Sequence, residues 1–283
     1  MTICIAAICE SGKYVVAVAD RMITYPPPVN IEFESVESKI EGMTSTCLFM
    51  ASGNVSFASD ISAEVRVALG GNQTPQIDSV AKSFKDKYWS VRAQKIYDTV
   101  IAGTFGKDFE DFKTRGGTLP QYLQTQAATY GQIVLASNNF NMNLEFIVCG
   151  IDSKGSHVFN IYHPGTSTSL DKLGYSAIRS GANHALIRLS LLGQNTKLDL
   201  KSTVVNVCEA KRISELAPGV GRRTSIAVID GSKGKTFFLS DALLDEITKA
   251  QQEAQQTIEA SFHITENVEG RLKTEIEATK DTP

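Results

Sequence analysis

Residues 2–22 read TICIAAICESGKYVVAVADRM. Two short runs, Thr2–Ile8 and Tyr14–Ala19, are built of small and β-branched apolar residues and are apolar on both faces. That pattern is expected of strands covered on both sides. Between them Glu10-Ser11-Gly12-Lys13 has turn composition, with Gly12 free to take the dihedrals of a tight reversal. A hairpin centred there pairs positions whose numbers sum to about 23, so Thr2 should lie opposite Asp20 or Arg21. Most domains leave their first residues loose. A strand starting at Thr2 instead draws the beginning of the chain into the fold.

Composition narrows the function classes. The 283 residues are 42% hydrophobic and 21% charged, which is the globular range and enough for a real core. Lys+Arg 28 against Asp+Glu 31 leaves a net charge of −3, without a basic, aromatic-interleaved cluster. Nucleic acid and anionic membrane are therefore poor partners. Cys4, Cys9, Cys47, Cys149 and Cys208 are scattered, with no C-x-x-C pair, and His157, His163, His184 and His263 form no ligand spacing. Reduced, buried thiols and no bound metal are expected. Glu10-Ser11-Gly12-Lys13 breaks the N-terminal apolar run, so neither a signal peptide nor a membrane span is expected. The expectation is a soluble, cytoplasmic protein.

Along the chain, Met22–Ser38 reads as irregular and stiffened by Pro26-Pro27-Pro28. Within it Thr24–Val36 is expected to form one wall of a cleft, with the three prolines, Ile31 and Phe33 as an apolar lining. A strand restarts at Lys39-Ile40, turns near Gly42 and runs through Thr46–Ala51 to Gly53. Helical spacing follows over Val55–Leu69 and Ile77–Ile101, the second with Val80, Phe84, Trp89 and Ile96 on one face. A short helix is expected after Pro120. Strand patterns return at Gln132–Ala136, Asn143–Gly150, His157–Tyr162 and Gly174–Ile178, helices at Ala182–Leu192 and Ser202–Leu216. Thr224–Ile229 and Thr236–Leu239 make a last hairpin.

Strand blocks punctuated by helix pairs fit an α+β protein: a four-layer α/β/β/α sandwich of two antiparallel sheets flanked by helix pairs. A doubly wound sheet would need alternating single strands and helices, and no Gly-rich phosphate loop follows any strand. Residues 1–239 are expected to form this domain and 240–283 a polar helical extension. In the extension Leu243, Leu244, Ile247, Ala254 and Ile258 draw a narrow apolar stripe, which suits a solvated terminal helix or a partner-docking one.

The runs TICIAAI, VVAVADR, SKIEG and FMASGN resemble the opening of proteasome β-type subunits among the N-terminal nucleophile hydrolases, with this chain a divergent, bacterial-type member. The resemblance covers about residues 2–239 and is most specific over the first 53. It implies Thr2 as nucleophile once Met1 is removed, Asp20 closing the second strand, Lys39 opening the third segment, and Gly53, fourteen residues later, as oxyanion-hole amide. AIRSGANHALIRLSLL resembles the family's strand-to-helix Ser-Gly step, which places Ser180 in support of the terminal amine and Gly181 beside it. Taken singly, Asp20 could be a strand-end residue, Lys39 a solvated lysine, Gly53 a helix-entry glycine and Ser180 a plain N-cap. The chain departs from the family at Arg21, one place early, and near residue 217, where Ala217-Pro218-Gly219-Val220 stands in place of an Asp and then a Ser.

The implied chemistry has a simple logic. A threonine hydroxyl is a weak nucleophile that needs an adjacent base, and a free α-amine with a pKa near ~7.7–8.0 supplies one within the same residue. Lys39 would lower the pKa of amine and hydroxyl, and Asp20 would hold the ammonium. The expected activity is hydrolysis of peptide or amide bonds without metal or organic cofactor, in a homo-oligomer such as a ring or stacked assembly. The other class of function compatible with the sequence is a catalytically silent ring subunit or assembly scaffold.

Overall fold

The computed structural model describes residues 2–25, 31–72, 74–101 and 127–261. The chain divides into two units, Met1–Leu239 and Ser240–Pro283. Within the first, the opening hairpin forms as its composition dictates: β1 (Cys4–Cys9) and β2 (Tyr14–Asp20) pair antiparallel with Cys4 opposite Ala19 and Ala6 opposite Ala17. Glu10, Ser11 and Gly12 all take positive φ in the turn between them. β2 continues onto β11 (Thr224–Asp230), which pairs with β12 (Lys235–Phe238), and β10 (Tyr175–Ile178) flanks β1. The second five-stranded sheet runs β5 (Ile40–Thr44), β6 (Cys47–Gly53), β7 (Leu144–Asp152), β8 (Gly155–Tyr162) and β9 (Thr166–Ser169), again all antiparallel. The class is α+β with antiparallel sheets.

Among the described residues, alternation along the strands separates two core clusters. One cluster joins Cys4, Ala6, Ile8, Ala17 and Ala227 of the first sheet to Leu48, Met50, Ile147 and Cys149 of the second. The odd-numbered partners on β6 and the even ones on β7, among them Phe49, Phe146 and Val148, join the second cluster with α1 (Val55–Leu69) and α2 (Ile77–Ile96). There Phe49, Phe84 and Phe146 tilt against one another at centroid distances of 5.0–6.4 Å. α4 (Ala182–Leu191) and α5 (Leu200–Ser214) pack on β1, and α5 also on β2. Asn54 caps α1 and Asp152 accepts the first amide of α2 at 2.7 Å, so both helix starts are satisfied where they meet the sheet.

Several expectations need correcting. Gln132–Ala136 is not a strand but the middle of α3 (Ala127–Asn139); a short apolar run is ambiguous between the two periods, and here flanking alanines decide for helix. Met22–Ser38 is less irregular than read: β3 (Met22–Tyr25) and β4 (Ile31–Glu34) form a two-stranded ribbon, while Pro26–Pro28 lie outside the described residues. The turn before β6 falls at Ser45–Thr46, and Gly42 sits within β5 where the register shifts. Trp89 is exposed and Tyr88 takes its core place, four residues after Phe84, with its hydroxyl on Leu144 O. α2 ends at Ile96, followed by a π-type turn over Tyr97–Ile101. The polar edge strand β9 had no hydrophobic signal. The helix expected after Pro120 lies outside the described residues. In the second unit α6 spans Asp241–Ser261.

Ala6, Ala17 and Ala227 stand opposite one another across three neighbouring strands, all fully buried in the inter-sheet cluster. The larger side chains of the facing sheet occupy the room they leave. Ala17→Leu should therefore lower unfolding free energy by about 1–3 kcal/mol in urea denaturation through overpacking.

Candidate active site

The site is assembled at the open end of the β1–β2 hairpin. Asp20 N donates to Ile3 O at 3.2 Å, one step beyond the last ladder pair, which brings Thr2 alongside the end of β2. Thr2 and Asp20 are both buried. Thr2 Oγ1 donates to Asp20 Oδ1 at 2.6 Å, and Lys39, immediately before β5, donates from Nζ to the same oxygen at 2.8 Å. Lys39 Nζ also contacts Thr2 Oγ1 directly. A threonine hydroxyl thus sits between an ammonium and a carboxylate. The cation favours negative charge on the hydroxyl oxygen, and the carboxylate accepts the hydroxyl's hydrogen bond and balances the cation.

Asp20 is held by more than its charge partner. Oδ1 accepts from Ile3 N at 3.1 Å, and Oδ2 accepts from Met22 N at 3.3 Å and Gly221 N at 2.9 Å. Gly221 was not singled out in the sequence. It lies just past the Ala217–Val220 segment where the resemblance fails, and its backbone amide makes a contact with Asp20 that needs no side chain. A Cβ on Gly221 would come within 2.8 Å of Met22 Cβ, so the loop needs glycine for this approach. The Pro218-Gly219-Val220-Gly221 composition was the available signal.

Two further groups anchor that loop. Lys211 on α5 is buried and donates to Arg222 O and to Glu215 Oε1, each at 2.6 Å. Burial pulls its ammonium below the usual lysine range, against the opposing pull of Glu215. Glu34 accepts the amides of Arg222 and Arg223. Arg21 turns to Ser225, donating from Nε to Oγ at 2.8 Å. Cys4, near Lys39 and Asp20, is no rival nucleophile, because burial pushes its thiol up to about 12.

Gly53 ends β6 at φ 124 and lines, with Thr2 and Lys39, a cleft of about 200 Å³. A Cβ there would collide with Asn143 O and the Arg179 guanidinium. Gly53 also borders a second cavity of about 600 Å³, and this is where Ser180 lies, exposed, at the start of the turn into α4. Among the described residues no hydrogen bond joins Ser180 to Thr2. Gly181 packs on α5, where a Cβ would meet Ser214 Cβ at 2.7 Å and where Ser214 Oγ donates to Gly181 O. The structure therefore brings Thr2, Asp20 and Lys39 into direct contact, puts Gly53 in the same cleft, and places Ser180 in the adjoining cavity.

No protein-family model and no curated protein matches the chain. A solved structure of a Gly-1 mutant of Anbu from Hyphomicrobium sp. strain MC1 is similar at a TM-score of 0.61 and 12% identity, over 94% of this chain and 100% of that one. The likeness is one of fold.

Removing one side of a buried charge pair leaves the other uncompensated. Asp20→Asn should lower unfolding free energy by about 3–5 kcal/mol in urea denaturation, whereas a surface carboxylate such as Glu64→Gln should change it by about 0.5 kcal/mol or less.

Proposed function

We propose that this protein is a proteasome β-subunit-like, threonine-type N-terminal nucleophile hydrolase that cleaves peptide or amide bonds, built on a four-layer α/β/β/α sandwich. The observation that carries the reading is the buried Thr2 hydroxyl held between Asp20 and Lys39. The fold likeness to Anbu, a bacterial proteasome-like protein of N-terminal-nucleophile type, supports it.

In this reading removal of Met1 frees the Thr2 α-amine, which is partly unprotonated near neutral pH. Thr2 Oγ attacks the substrate carbonyl carbon while its proton passes to that amine, directly or through water. Gly53 N–H donates to the oxyanion. The tetrahedral adduct collapses, the C–N bond breaks, and the departing amine takes the proton. Water then hydrolyses the Thr2 ester by the same route, with the amine again as base. Lys39 stabilises the developing charge on Oγ, and Asp20 holds Lys39 in place through their ion pair. These steps call for no metal or organic cofactor.

The second reading, a catalytically silent ring subunit or scaffold, is favoured by the Ala217–Val220 segment, which offers no side-chain donor. Both readings place the protein in the cytoplasm as a homo-oligomer. Among the described residues no helix is long and apolar enough to cross a membrane.

Intact mass of the native protein should lack Met1, and one equivalent of a peptide epoxyketone or β-lactone should add at Thr2. Thr2→Ala and Lys39→Ala should each abolish the adduct, with Thr2→Ala costing about 1.5–3 kcal/mol in stability through the lost hydrogen bond to the buried Asp20 carboxylate. Retained Met1 would sink the hydrolase reading, and an adduct surviving Thr2→Ala would sink the nucleophile assignment. Light scattering at micromolar protein should give a multiple of the 30.7 kDa chain mass; a monomeric mass refutes assembly.

A further inference from the structure

The cleft shared by Thr2, Lys39 and Gly53 contains a second unusual hydroxyl. Ser52 precedes Gly53 on β6, and strand alternation sets it on the inter-sheet face with Leu48 and Met50. It lines the cleft, is 3% exposed, and its Oγ has no hydrogen-bond partner among the described residues. A buried hydroxyl without a partner is destabilising. Ser52 borders the cleft with its Oγ closed off from water, and rotation about χ1 would present that oxygen to a ligand that brings the missing partner.

The rest of the lining narrows what that ligand presents. Ser35 and Ser38 each accept a backbone amide at 3.0 Å, from Glu37 and Ile40, which uses only the acceptor side of the two hydroxyls. The ionised residues of the lining cancel, Arg21 and Lys39 against Glu37 and Glu41. Three of these four are also engaged elsewhere: Arg21 with Ser225, Lys39 with Asp20 and Glu41 with Arg66. The wall sets hydroxyls beside the apolar side chains of Met22, Ile23, Ala51, Val55 and Ala58 and carries no net charge, and about 200 Å³ holds one side chain of moderate size.

We propose that this cleft selects an uncharged polar side chain, a carboxamide or a hydroxyl, on the substrate residue whose carbonyl Thr2 attacks, with Ser52 Oγ as its hydrogen-bond partner. The proposal rests on the hydrolase reading above. A carboxamide can accept from Ser52 and donate back to it. A branched aliphatic group would leave Ser52 buried and unpaired, and sites of that kind discriminate strongly against substrates lacking the bonding group.

The test uses the native full-length protein and four acetylated tripeptide epoxyketones that differ only in the residue next to the electrophile: Gln, Leu, Lys or Glu. Second-order rates of adduct formation at Thr2 are followed by intact mass. The Gln compound should react about tenfold faster than the Leu compound, and faster than the Lys and Glu compounds. Ser52→Ala should bring the Gln-to-Leu ratio close to one with an equal or higher thermal midpoint, since it deletes an unpaired hydroxyl, and Ser52→Thr should retain the preference. A Leu, Lys or Glu preference, or a ratio unmoved by Ser52→Ala, overturns this proposal and leaves the hydrolase reading standing. Failure of all four compounds to label Thr2 overturns the hydrolase reading and this proposal with it.

Discussion

Asp20 is a carboxylate taken entirely out of water, and a charge in that position must recover from the protein what it loses in hydration. It does so through five donors: the Thr2 hydroxyl, the Lys39 ammonium and the amides of Ile3, Met22 and Gly221. Those donors come from the chain's beginning, the start of β3, the segment entering β5 and the loop entering β11. Four stretches far apart in sequence are tied to one side chain. Loss of any one donor raises the cost of keeping the charge buried, so the geometry around Thr2 is over-determined.

The division of labour between the two carboxylate oxygens follows from this arrangement. Oδ2 is taken up by two backbone amides, which cannot move without moving the loops that carry them. Oδ1 is left to face Ile3 N, Thr2 and Lys39. The orientation of Asp20 is therefore set by main chain, and the reactive side chains are arranged on the oxygen that remains. Lys211 and Glu34 extend the same logic outward by holding the carbonyl and amides that flank Gly221.

The sheets supply the platform. The alanine row Ala6–Ala17–Ala227 admits larger neighbours from the facing sheet, and the aromatic trio of Phe49, Phe84 and Phe146 fixes α2 against the other face of β6 and β7. β6 is thus packed on both faces along most of its length. It ends at Ser52 and Gly53, where apolar packing gives way to the cleft.

The hairpin register, the helices beginning at Val55 and Ile77 and the last hairpin were legible from the sequence, because each depends on periodicity and turn chemistry within about twenty residues. The nearness of Thr2 to Asp20 followed from the same register. Lys39 and Gly53 drew attention only through family spacing. The ribbon of β3 and β4, the edge strand β9 and the helical state of Gln132–Ala136 escaped, since their residues carry little or ambiguous periodicity. What the sequence by itself determined is local pairing and which faces are apolar. Only the tertiary structure decided that Gly221 would solvate Asp20, that Ser180 would lie in the adjoining cavity and that Ser52 would be buried without a partner. Those are contacts between segments up to two hundred residues apart, set by how the two sheets stack, and no local pattern encodes them.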